Sequence, residues 1–275
     1  MRLLRRLLST PAGALGFAIV AAILFAAAAA SVVSPYDPDA LDILHRFAPV
    51  SPDHLLGTDH LGRDLLSRLL HGATVAVTVA VSSILLALVS GTVLGVAAGF
   101  ASPWWDRAVL VLFDIVSSFP SLVLALAVVA VLGPGNGNLV GIVAVTLLPQ
   151  FGRVARAQAL ALRAQPFLEA ERILGAGPVR IVLAHVLPNI AGPLLVLASM
   201  EVPVVITIEA GLSFIGLGVR PPLASWGTLI YDGYAYLSDS ALPVVVSAAA
   251  LAVATLGFTL FGEALRDAAD PRSGR

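Results

Sequence analysis

From Leu69 to Trp105 the chain runs without a single Asp, Glu, Arg or Lys. A helix satisfies every backbone N–H and C=O within itself, which makes it one of only two structures that a lipid interior tolerates. About 20 apolar residues cross roughly 30 Å of hydrocarbon, so this run holds a complete span, expected at about 74–98. The 21 uncharged residues from Gly13 to Val33 make another. Further spans are expected at about 108–132, 139–158, 190–212 and 241–262. Composition agrees: 58% of residues are hydrophobic and 12% charged, against about 25% charged in soluble domains. The fold class expected is an all-α, polytopic membrane protein with six transmembrane helices.

The first span follows a basic start containing Arg2, Arg5 and Arg6. Ala28-Ala29-Ala30 resembles a signal-peptide cleavage site, but the apolar run exceeds the 7–15 residues usual for a signal core. Ser34 to His71 is polar, with six aspartates and three arginines. Within it lies His54-Leu-Leu-Gly-Thr-Asp-His-Leu-Gly-Arg-Asp64, with a short amphipathic helix expected from Asp64 to Leu70. By ligand type, Asp53, His54, Asp59 and His60 allow a metal site. The preferred reading is a hydrogen-bonded turn pivoting on Gly57 and Gly62. Gly133-Pro-Gly-Asn-Gly-Asn138 is a turn by composition, and no strand precedes it to make a dinucleotide loop.

Residues 167–189, FLEAERILGAGPVRIVLAHVLPN, form the longest polar interruption of the second half. Glu169, Ala170 and Arg172 suit a first short helix. Gly175 and Gly177 can take backbone angles closed to other residues. Pro178 fits the first turn of a second helix, and Pro188 is expected to stop or kink it. A looser region, 211–239, precedes the last span. Counting arginines in the connections orients the chain. With the N-terminus inside, Arg2, Arg5, Arg6, Arg107, Arg153, Arg156, Arg163, Arg172, Arg180, Arg266, Arg272 and Arg275 fall on the cytoplasmic side, and only Arg46, Arg63, Arg68 and Arg220 outside, twelve against four. Both termini and the loop at 159–188 are then cytoplasmic.

Asp114, Glu201 and Glu209 lie at or near membrane depth, where a charge costs roughly 2.5–3.5 kcal/mol or more. Asp114 and Glu209 are read as structural, near the inner and outer interfaces. Glu201, the deepest, stays open between structure and substrate contact. Three scattered acids without partner arginines make a poor proton relay. The chain has no cysteine, which excludes disulfides and thiol chemistry. A net charge of −1 argues against a nucleic-acid partner. All sixteen basic residues are arginine, and a phosphate-binding P-loop requires lysine. ATP hydrolysis by that route is excluded, so an ATP-driven activity needs a second polypeptide that grips this one.

Glu169-Ala170-Glu171…Gly175…Leu187-Pro188 resembles the EAA loop of bacterial ABC importer permeases, whose coupling helices sit in a groove of the ATPase. Two positions depart from that pattern: Glu171 replaces the second alanine, and His185 stands where isoleucine is general. Leu56 to Arg68 (with Gly57, Thr58, Asp59, Gly62, Arg63 and Asp64), Leu212 to Gly218, Pro221-Pro222…Ser225-Trp226-Gly227 and Leu265 to Arg272 look like the dipeptide/oligopeptide/nickel permease family, DppC/OppC-type subunit.

The resemblance implies a type I ABC importer transmembrane domain in the bacterial inner membrane. Its partners would be a DppB/OppB-type second permease, two ABC ATPase subunits, an extracytoplasmic solute-binding protein and membrane lipid. No cofactor is bound by this chain; ATP and magnesium belong to the ATPases. It implies ATPase coupling through Glu169, Ala170, Glu171, Gly175, Leu187 and Pro188. An outer gate or binding-protein contact is implied at Phe214, Leu217, Pro221, Pro222 and Trp226. The division expected is 1–33 N-terminus and first helix, 34–72 extracytoplasmic segment, 73–265 permease core with the coupling loop at 159–188, and 266–275 tail. An ion-coupled secondary transporter using Glu201 or Asp114 is the alternative, ahead of a membrane enzyme.

Overall fold

The computed structural model describes residues 6–269. Arg2, Arg5, Arg272 and Arg275, and the tail from 270 onward, lie outside the described residues. Among those described, the regular structure is helical, with one isolated β-bridge between Thr58 and Asp64. The helices are α1 (Pro11–Val33), α2 (Leu65–Phe100), α3 (Pro103–Ser117), α4 (Ser121–Leu132) and α5 (Asn136–Arg163). There follow α6 (Pro166–Ile173), α7 (Pro178–Ile181), α8 (Leu187–Phe214), α9 (Trp226–Ala235) and α10 (Leu242–Ala269). Five helices are long and apolar enough to cross a membrane, and a sixth is present if the bent pair α3–α4 counts as one span.

The centre of the bundle is the parallel pair α2 and α5. Gly91, Gly95 and Gly99 recur every four residues and so share one face of α2. A Cβ on Gly91 would lie 2.7 Å from the Leu148 carbonyl, and one on Gly95 would collide with the Gly152 carbonyl. Small residues at such spacing let two backbones approach, which in lipid replaces the hydrophobic drive for helix association. Gly152 continues the fit on the far side of α5, where the Phe113 ring occupies the space its side chain would take. In the same way α1 packs along α10, with Gly16 against Leu260–Phe261 and Gly257 against Ile19.

Several boundaries differ from expectation. The helix expected to begin at Asp64 and end near Leu70 is the first turns of the second span. Asp64 N-caps it by accepting from the Ser67 N–H, and nothing in the uncharged run that follows stops a helix. The third span is two helices meeting at 87°. Pro120 lacks an N–H and disfavours α geometry at Phe119, so the kink is a break. The turn at 133–138 closes by Gly135, and Asn138 lies inside α5, its amide donating to the Leu132 and Gly133 carbonyls. The region 211–239 contains α9, started by a Ser225/Thr228 capping box. The sixth span runs on to Ala269, past its expected end at 262.

Because Gly95 faces another backbone with no room for a side chain, Gly95→Leu is expected to destabilise the bundle by about 1–3 kcal/mol. Val93→Leu, on the exposed side of the same helix, is expected to stay within about 0.5 kcal/mol. Thermal unfolding of the two detergent-solubilised variants measures the difference.

Candidate functional site

Two polar clusters mark opposite ends of the bundle. One surrounds the start of α2. The other lies past the end of α5, where Arg163 donates to the Gly99 carbonyl at the far end of α2.

At the first end, Asp59 is the centre of the 54–64 segment. Its carboxylate accepts from the Leu61 and Arg63 N–H groups at 2.8 and 3.0 Å, and from Arg63 Nε at 2.6 Å. Gly57 and Gly62, at φ +75° and +77°, make the reversals this requires, as the turn reading expected. Arg63 also donates to Asp232 on α9, 3.2 Å away. Arg68 donates to the Pro38 carbonyl and Asp39, and lies 3.7 Å from Asp59. The Thr58 hydroxyl donates to the His45 carbonyl and accepts from the Ala48 N–H. Asp64 accepts from Ser67 and meets His54 Nδ1 at 3.0 Å. Three of the four residues of the metal alternative serve separate partners: Asp59 holds arginine, His54 meets Asp64, and His60 stacks on Tyr236 at 4.7 Å. Among the described residues no group of three metal-ligating side chains forms.

The expected gate residues lie beside this knot. Trp226 is 3% exposed, its indole donating to the Leu69 carbonyl and packing on Gly72. It therefore faces its own chain, and Pro221 and Pro222, joined by a cis peptide, are the exposed members of the set. Phe214 meets Tyr231 and Tyr234 edge-on. The Leu217 N–H closes the end of α8 on the Leu212 carbonyl at 2.8 Å.

Of the three acids expected to lack partner arginines, Asp114 has one, which corrects that expectation, whereas Glu201 and Glu209 meet neutral side chains. Arg153 donates to Asp114 at 2.9 Å, and Arg156 grips Asp106 with two bonds of 2.5 and 2.6 Å. Glu201 accepts from Gln150 at 2.7 Å, and buried Glu209 accepts from the Ser213 hydroxyl. The pairs of Asp114, Asp106 and Glu201 link residues 39–51 apart in sequence, so only folding shows them, whereas Glu209 and Ser213 are one helical turn apart. An open groove of about 710 Å³ runs between α4, α8 and α10, lined in part by Ser121, Thr207, Thr255 and Thr259.

At the second end, α6 and α7 are the two expected short helices, separated by Gly175 at φ +86°. Glu169, Ala170 and Gly175 are exposed, with open space around Gly175. Glu171 is half-buried, turned toward its own chain. Pro188 does not end the second helix. Residues Val182–Val186 form a π turn in which the Leu187 N–H reaches back to the Val182 carbonyl, and Leu187–Pro188 then open α8. The wider turn lets the chain pass a residue with no N–H without the ring striking the preceding turn. The loop and the fifth span are thus continuous from Pro178 to Phe214.

Membrane-length helices around a close-packed pair, with a knot at one end and a helical hinge at the other, define a polytopic membrane protein. Residues 91–275 match the family described as binding-protein-dependent transport system inner membrane component, and the chain belongs to it. It is 38% identical over 269 residues to the di/tripeptide transport system permease protein DppC of Pseudomonas aeruginosa, covering 94% of this chain and 88% of that protein. It is 36% identical over 222 residues to the glutathione transport system permease protein GsiD of Pectobacterium atrosepticum, covering 81% and 74%. Among solved structures, an inward-facing MetNI methionine ABC transporter chain superposes with a TM-score of 0.59 at 19% identity, covering 73% of this chain and 96% of that one. The fold is therefore that of an ABC importer membrane component.

Two outcomes follow from the knot. Asp59→Ala leaves two buried arginines without their shared acid; breaking a buried pair costs about 3–5 kcal/mol, expected as a lowered unfolding midpoint. Burial pushes the His60 imidazole below its ordinary value near 6.5. A depressed histidine stabilises the fold most above the ordinary value, because the unfolded chain takes up the proton first. Stability is expected to fall as pH drops through about 6.5, and His60→Gln to flatten that dependence in melts between about pH 8 and pH 5.5.

Proposed function

We propose that this chain is a permease subunit of an ATP-driven ABC importer that carries peptides across the bacterial cytoplasmic membrane by alternating access. The observation that carries the reading is the hinge: two short helices projecting past the end of α5, continuous with a membrane span, in a chain without the lysine of a P-loop. Their exposed apolar residues, Ile173, Leu174, Val179 and Leu183, stand beside Arg172 and Arg180. That mixture of exposed apolar residues and charge suits a docked protein better than water.

In this reading both termini and the hinge are cytoplasmic, and Glu169, Ala170, Glu171, Gly175, Leu187 and Pro188 serve coupling to the ATPase. ATP and magnesium bind two partner ATPase subunits, and nothing is hydrolysed on this chain. A DppB/OppB-type permease completes the pathway, covering the open groove beside α8. A solute-binding protein delivers substrate at the end bearing Phe214, Leu217, Pro221, Pro222 and Trp226. The 54–64 motif acts as the clamp that holds the outer segment to α2 and α9. The peptide class is supported by the relatives' di/tripeptide and glutathione transport, both substrates carrying peptide-like amides and charged ends.

Co-expression with the candidate partners tests this. The affinity-purified chain is expected to retain a P-loop ATPase. Gly175→Asp, placed where φ is +86°, is expected to cut peptide uptake at least tenfold while the chain still inserts. Uptake that survives ATP depletion but collapses with an uncoupler would instead favour an ion-coupled transporter.

A further inference from the structure

Glu171 and His185, the two departures from the family's loop pattern, meet in the folded chain. Nε2 of His185 lies 3.6 Å from Oε2 of Glu171, within ion-pair reach. The same imidazole meets the Phe167 ring nearly edge-on at 6.3 Å. Residues 167 and 171 are one helical turn apart and share a face of α6. Leu168, beside them, is fully buried. The other side of the helix, with Glu169, Ala170 and Ile173, is exposed. Helix α6 therefore has an inner face held by its own chain and an outer face left free.

His185 is placed for this contact by the π turn that precedes α8. A π turn holds more residues than an α turn, so it changes which residues of 178–186 face α6. The Asn189 amide donates to the His185 carbonyl at 2.6 Å, tying that turn to the first residues of α8. Between the two contact points the chain reverses at Gly175, and the Ala176 N–H bonds the Glu171 carbonyl. Gly175 and Gly177 flank Ala176 in this connection, and few backbone angles are excluded at glycine, which leaves α6 room to swivel.

We propose that Glu171 and His185 form a strut that makes α6 and the base of α8 one rigid body. A displacement of α6 then reaches the fifth span instead of dissipating at the glycine hinge. The proposal rests on the docking role of α6 given above. Both are positioning residues: neither touches solute or nucleotide.

The chain has no cysteine, so a pair introduced at these positions is uniquely addressable. The experiment uses the importer assembled with its permease, ATPase and binding-protein partners in liposomes, reading peptide taken up per ATP hydrolysed. Glu171→Ala and His185→Ala are each expected to lower that ratio several-fold, His185→Ala doing so while ATPase binding and basal hydrolysis persist. The double alanine variant is expected to be no worse than either single one, and the exchanged pair E171H/H185E to recover at least half of the ratio. E171C/H185C bridged by a short, reducible bifunctional thiol reagent is expected to keep transporting.

Alanine variants with an unchanged ratio would overturn the strut. So would a bridged variant that stops transport and recovers on reduction, since the pair would then open during the cycle. Failure of the unaltered chain to bind any ATPase would sink the docking role itself, an outcome distinct from these.

Discussion

The close approach of α2 and α5 is the constraint on which the other elements depend. Lipid supplies no hydrophobic drive between helices, so association rests on contact area and backbone proximity. Glycines 91, 95 and 99 permit that proximity along one face of α2. Once the two axes are close, Phe113 fits against Gly152 and Arg163 reaches the Gly99 carbonyl. The pair thus sets where α3 lies and where the hinge after α5 projects.

Charge is distributed to suit that frame. Four acids of the bundle meet a side chain: Asp106 meets Arg156, Asp114 meets Arg153, Glu201 meets Gln150 and Glu209 meets Ser213. A carboxylate in a medium poor in water is tolerated when it is hydrogen-bonded; Glu209 is met at Oε1 by Ser213, while its Oε2 is buried without a hydrogen bond among the described residues. At the α2 start the same rule produces a denser arrangement. Asp59 satisfies two backbone amides and Arg63 at once, and Arg63 carries the connection on to Asp232. The motif is thereby a fastening between the segment preceding α2 and helix α9, which explains why its charged residues are buried although it lies outside the spans.

The hinge works by continuity. Pro188 is expected to stop or kink a helix; the helix does not stop, because the π turn at Val182–Val186 carries the backbone past it, so α7 and α8 form one helical run. Pro120 meets no such adjustment, and the chain breaks there by 87°. Two prolines with the same chemistry thus have opposite effects.

Much of the architecture was legible in the residues. The uncharged runs marked the spans, Gly175 and Pro178 marked the hinge, and Gly57 and Gly62 marked the turns of the 54–64 segment. Each signal is local, arising from solvation or from the backbone angles a residue permits. The break at Pro120, the π turn, the helix at 226–235 and the partners of Asp114 and Glu171 were decided by tertiary structure. Arg153 lies 39 residues from Asp114, and His185 lies across a chain reversal from Glu171. No spacing rule connects such pairs, because their distance is set by how helices pack and not by the path of the chain. The sequence by itself determined a bundle of membrane helices with an exposed hinge. Packing decided that Glu171 turns inward to meet its own chain.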